Sequence, residues 1–169
     1  MPNWIEGTIK LRGTSEDIRK FLEEKINFYD FKTWIETGED TIVPREKWKF
    51  KIKDWGDCFE VSWDNNAEPY IEGSRRAFLT SSQAYFENDQ TSIICFNIKQ
   101  AWAFTPDDTE AERWENLSKE TNLDIRLFGF ECGMQFGQEI EIINGKVTIN
   151  KCFSYTDYNW ECPFPNMGG

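Results

Sequence analysis

Residues 5–24 read IEGTIKLRGTSEDIRKFLEE, and this stretch decides how the chain is organised. Ile5, Gly7, Ile9 and Leu11 alternate with Glu6, Thr8, Lys10 and Arg12, the period of two of a strand buried on one side. Gly13 closes that strand. Thr14 or Ser15 then offers a hydroxyl to cap a short helix reaching about Glu24, whose Ile18, Phe21 and Leu22 share one helical face.

Working outward, Lys47–Lys53 (KWKFKIK) sets Trp48, Phe50 and Ile52 against four lysines. After a turn at Asp54–Asp57, Phe59, Val61 and Trp63 alternate with Glu60 and Ser62, which predicts a hairpin with one aromatic face and one charged face. Ser92–Ala103 is apolar enough for a central strand. Thr105 at the cap, Pro106 at the first position, and Asp107 and Asp108 in the first turn predict a second helix with Ala111, Trp114, Leu117 and Thr121 facing inward. Leu123–Phe130 returns as a strand. Glu139–Ile143 and Lys146–Phe153 form a hairpin around Asn144-Gly145, a type I′ turn signal.

Two regions lack a clean period and are expected to be insertions packed on the core. In residues 25–45, Phe28, Phe31, Trp34 and Ile35 fall near helical spacing, but Gly38 and Pro44 interrupt them. Residues 64–91 surround apolar pieces such as Ala77–Leu79 with the turn residues Asp64, Asn65, Asn66, Pro69, Gly73 and Ser74. The tail from Tyr155 to Gly169 is rich in aromatics and proline and should pack. This order predicts an α+β fold: a ferredoxin-like βαββαβ core with insertions and an added C-terminal hairpin, in one domain spanning 1–169.

At 169 residues, with eight Trp and fourteen Phe, the chain has the material for a large core without metal or disulfide staples. No apolar run reaches the roughly 20 residues of a bilayer span, and the start lacks a signal-peptide pattern, so a cytoplasmic protein with no membrane partner is expected. Cys58, Cys95, Cys132, Cys152 and Cys162 are widely spaced, odd in number and free of C-x-x-C pairs, which fits reduced thiols. Net charge is −11, and residues 101–169 carry 12 acidic groups against 5 basic ones. Such a surface repels phosphate backbones and attracts basic protein surfaces, so direct nucleic-acid binding is not expected.

The sequence contains no histidine, which removes the commonest general base and the commonest metal ligand. Phosphate-loop and dinucleotide fingerprints are absent as well, so neither catalytic residues, metal ligands nor a cofactor are expected. Glu139 and Glu141 share a strand face, where a solvated surface explains them better than an acid/base pair. Cys132 has no basic sequence neighbour to activate it. Lys47, Lys49, Lys51 and Lys53 point away from Trp48, Phe50 and Ile52, so bases could not stack there; cross-strand pairing or edge protection accounts for them.

Met1-Pro2-Asn3-Trp4, followed by a strand ending at Gly13 and a helix beginning Ser15-Glu16-Asp17, resembles the YubB-type ferredoxin-like family of small phage and plasmid proteins. The close, Trp160-Glu161-Cys162-Pro163-Phe164-Pro165 through Gly168-Gly169, is similar to the ends of phage proteins of this kind. Ile5 stands where that family commonly carries cysteine, so no role for a thiol there carries over. The resemblance implies a mobile-element origin and a fold, with no reaction attached.

These observations lead to the expectation of a non-catalytic, acidic interaction protein that binds and inhibits a host protein with a basic surface. Its sharpest form is an anti-defence, anti-CRISPR-like inhibitor of a nucleic-acid-binding nuclease. The expected contact is an acidic helix face of Asp107, Asp108, Glu110, Glu112 and Glu115. The alternative is a protein that sequesters a nucleotide or other small ligand, with Arg75 and Arg76 meeting a phosphate. A carboxylate-dependent hydrolase ranks behind both.

Overall fold

Strand β1 (Trp4–Gly13) forms where the alternation predicts it, with Ile5, Ile9 and Leu11 fully buried and Lys10 and Arg12 exposed. Helix α1 (Ser15–Glu24) follows, capped by Thr14: its hydroxyl accepts from the Asp17 amide at 3.1 Å and donates to the Asp17 carboxylate at 2.6 Å. The computed structural model describes residues 3–29, 42–43, 47, 49–64, 68–105 and 107–169. The predicted features at Met1, Pro2, Phe31, Trp34, Ile35, Gly38, Pro44, Trp48, Asn65, Asn66 and Pro106 lie outside these residues.

Nine further strands of the described chain come from β2 (Ile26–Tyr29), β3 (Ile42–Val43), β4 (Lys51–Asp54), β5 (Cys58–Ser62), β6 (Pro69–Ile71), β7 (Ala77–Leu79), β8 (Gln83–Glu87), β9 (Ser92–Ala101) and β10 (Asp124–Glu131). Helix α2 (Asp108–Thr121) joins β9 to β10, and β11 (Phe136–Ile143), β12 (Lys146–Ser154) and the one-turn α3 (Tyr158–Glu161) complete the chain. Among the described residues the main sheet has nine strands in the order β12-β11-β10-β1-β9-β7-β6-β2-β3, and β4-β5-β8 form a separate sheet of three. Every pairing is antiparallel.

The expected ferredoxin-like α+β core is therefore corrected: the fold is mainly β, built on a large antiparallel sheet. The two stretches read as insertions cause the difference. They supply β2, β3, β6, β7 and β8, and β7 pairs directly with β9, so the sheet grows far beyond a four-stranded core. These strands are two to five residues long, and β7 is buried at every position, too short and too uniform to show a period of two. The lysine-rich hairpin also moves. Lys49 takes a left-handed backbone (φ 53°), β4 starts only at Lys51, and the hairpin pairs with β8 in the small sheet.

α1, α2 and the small sheet bury their apolar sides, together with one side of the main sheet, in a single core. Ile18, Phe21 and Leu22 from α1, Trp114 and Leu117 from α2, and Phe59, Val61 and Trp63 from β5 and its end meet Ile9, Phe96, Leu127 and Ile140 there. Trp63 sits against Phe96 with ring centroids 5.8 Å apart, which fixes the small sheet on β9. The β11–β12 hairpin turns as predicted, with Asn144 (φ 50°) and Gly145 (φ 69°) both left-handed. The Ser118 hydroxyl accepts from the Gly145 amide at 3.1 Å and donates to the Leu123 carbonyl at 2.6 Å, tying that turn to α2.

Candidate functional site

The predicted acidic helix face is dispersed by the fold. α2 begins two residues later than expected, with Asp107 as the cap accepting from the Glu110 amide at 2.9 Å. Glu110 is only 1% exposed, on the inward side in place of the predicted Ala111. Its carboxylate accepts from the Arg75 amide at 2.9 Å and from the Gln100 side-chain amide at 3.1 Å, with the Arg113 guanidinium 3.5 Å away. Glu115 accepts from the Val147 amide at 2.9 Å. Asp108 and Glu112 remain exposed, so the five acids do not form one contact plane.

Glu110 belongs to a buried polar network that seats the β9–α2 connection. The Phe104 carbonyl accepts from the Trp114 indole and the Gln100 amide, and the Gln138 carbonyl accepts from the Phe104 amide. Burial pushes the Glu110 carboxyl above its ordinary 4.5, while the Arg75 amide and the Arg113 charge oppose this shift. A carboxyl with a raised native pKa favours folding while protonated, and that contribution is lost as pH climbs through the native value. Glu110→Gln keeps the oxygen that accepts both amides and removes the titration. We expect the variant to gain stability relative to the parent as pH rises above the ordinary 4.5 and through the raised native value, read as denaturation midpoints across pH. An unchanged difference across that range would refute the assignment.

Arg75 and Arg76 lie in the β6–β7 turn, where Arg76 is left-handed (φ 53°) and Arg75 stands 3.9 Å from Asp107. The Arg75 charge is thus shared with α2. Lys47, Lys49, Lys51 and Lys53 are all exposed, and the Lys53 ammonium lies 3.4 Å from the centre of the Trp55 ring. Glu139 and Glu141 share a face as predicted, and both are bonded to Arg126. Cys132 donates to the Gly168 carbonyl at 2.8 Å and so fastens the tail. Among the described residues no group of three or more cysteine, aspartate or glutamate side chains is placed to hold a metal ion.

The surface that remains is the other side of the main sheet, which neither helix covers. Its rungs are set by the register. Cys95, Lys10, Arg126, Glu141 and Ile149 form one, and Asn97, Thr8, Phe128, Glu139 and Lys151 form the next. Arg12 pairs with Asp124 at 2.6 Å and Arg126 with the two glutamates, while Lys10 and Lys151 are exposed on the same face. Phe128 stays 38% exposed at the centre of this face.

The tail covers one end of that face. Phe130, Tyr158 and Cys162 bury one another, with Cys132, Tyr155 and Met167 packed around them. Burial pushes the Tyr158 hydroxyl well above its ordinary 10. Gly169 donates to the Trp4 carbonyl at 2.9 Å, which pins the chain end beside β1. Rings then follow one another across the surface: Phe153 to Phe128 at 6.2 Å, Phe128 to Phe130 at 5.2 Å, and Phe130 to Phe164 at 5.7 Å. Phe164 is 55% exposed, and Trp160 on α3 is 86% exposed.

Sequence reading anticipates that the tail packs, because it is rich in aromatic residues and proline. It misses the aromatic row, because Phe128, Phe130 and Phe153 share a side only once β10 and β12 are placed around β11. Buried Glu131, whose carboxylate accepts from the Gly133 amide at 2.8 Å and the Met134 amide at 2.5 Å, leaves no sequence signal beyond its place before a turn. Comparison with family models, curated proteins and solved structures gives no match. Among the described residues no helix is long and apolar enough to cross a membrane.

Proposed function

We propose that the protein is a non-catalytic interaction protein whose partner is a protein with a basic surface. The observation that carries this reading is the row of aromatic rings on the uncovered sheet face, continued by the exposed Phe164 on the tail. Isolated exposed apolar side chains are ordinary, whereas Phe128 and Phe164 are exposed on either side of the buried Phe130 and half-buried Phe153 extends the row, so the apolar surface is grouped rather than scattered. A net charge of −11 steers such a surface toward basic partners. The resemblance of both chain ends to small phage and plasmid proteins suggests a host protein, with a nucleic-acid-binding nuclease as the sharpest form.

Catalysis gains no support from the candidate residues, since Glu139 and Glu141 are both paired with Arg126 and Cys132 serves the tail. A phosphate-binding role for Arg75 and Arg76 fares no better, because Arg75 faces Asp107.

The test is capture of tagged protein from a nuclease-treated bacterial lysate, followed by mass spectrometry and calorimetry with the purified partner. A basic protein should bind at about 0.1 M salt and be released near 0.5 M, because screening weakens charge-steered contacts. Recovery of nucleic acid alone, or of no basic protein, would overturn the reading.

A further inference from the structure

A surface groove of about 420 Å³ runs between β1 and the tail, lined by Glu6, Pro163, Phe164, Pro165, Asn166 and Met167. Glu6 is half-buried, yet among the described residues its carboxylate has neither a hydrogen bond nor an ion pair. Its cross-strand neighbour Lys99 is committed elsewhere, with its ammonium 2.6 Å from Glu68 and facing the rings of Trp4 and Phe78. The groove therefore presents one uncompensated carboxylate between proline and phenylalanine walls.

Resting on the reading that the protein binds a basic protein, we propose that this groove takes a partner segment in which arginine or lysine adjoins an aromatic residue. The cationic head meets Glu6, while the aromatic ring and the alkyl stem lie against Phe164 and the prolines. The wall is already in place, because Gly169 is bonded to Trp4 and Cys132 to Gly168, so little ordering is needed on binding. Charge argues against the tail of a second copy as the occupant. Residues 152–169 carry Asp157 and Glu161 and no basic group, so two such tails would repel.

The probe is a fluorescein-labelled hexapeptide of alternating tryptophan and arginine, read by anisotropy, with a glutamate-for-arginine peptide as control. The arginine peptide should bind saturably and the glutamate peptide should not. Glu6→Gln, which preserves shape, and Phe164→Ala should each weaken binding about tenfold, while Glu16→Gln on α1 should leave it unchanged. Equal binding by the parent, Glu6→Gln and Phe164→Ala would overturn the groove assignment, and so would absence of binding to the parent. Either failure leaves the wider reading to stand or fall on lysate capture, because that experiment does not depend on where the partner docks.

Discussion

Gly7→Ala should unfold the protein or cost it more than about 4 kcal/mol, the largest effect expected of a methyl group added at any of the described glycines. A methyl carbon at position 7 would sit 1.9 Å from the Phe128 carbonyl oxygen and 2.5 Å from the Gly129 α-carbon. Both obstacles are backbone of β10, so no side-chain rotation relieves them. β1 cannot step aside either, because it is held in register along its length by β10 on one side and β9 on the other. A glycine here is required by close backbone approach rather than by its freedom of φ. Thr8→Ala is the control: Thr8 is half-buried on the uncovered face, so its loss should cost less than about 1 kcal/mol. Urea denaturation followed by circular dichroism measures both variants. A Gly7→Ala protein within 1 kcal/mol of the parent would mean that β1 and β10 are not so closely apposed.

Trp114→Ala comes second, with an expected loss of about 3–5 kcal/mol. Trp114 is completely buried where α2 crosses the sheet, and its indole N–H donates to the Phe104 carbonyl at 3.0 Å. Truncation removes core contacts from both layers and leaves a cavity that neighbours from two elements cannot close. Trp114→Phe separates volume from hydrogen bonding. The Phe104 carbonyl would keep the Gln100 amide at 3.2 Å, so the lost indole bond should cost only about 1–2 kcal/mol beyond the smaller ring. Similar losses for the Phe and Ala variants would show that the hydrogen bond, not packing, dominates at this position.

The interaction reading and the stability predictions meet at the same sheet. β1 supplies Ile9 and Leu11 to the covered core and Glu6 to the open groove, because successive residues of a strand point to opposite sides. Substitutions at odd positions of β1 should therefore register as stability losses. Glu6, whose side chain faces the groove, should report on binding.

How much of this was legible beforehand depends on how far apart the cooperating residues lie. The alternation of Ile5 to Arg12, the Thr14 cap, the apolar stripe of α1 and the Asn144-Gly145 turn are interactions among near neighbours, so the amino-acid order alone determined β1, α1 and the final hairpin. It also determined the charge, and it removed histidine chemistry outright. The tertiary structure decided the rest. Short strands such as Pro69–Ile71 and Ala77–Leu79 gain their hydrogen bonds only from distant partners, and those pairings turned an expected small core into a nine-stranded sheet. Glu110 looked like a surface acid until the Arg75 amide, 35 residues away, gave its carboxylate a reason to be buried. The aromatic row exists only because β10 and β12 flank β11, and the Glu6 groove only because the tail returns to β1. Periodicity and turn chemistry act over a few residues, whereas pairing, burial and charge compensation depend on which segments fold against one another.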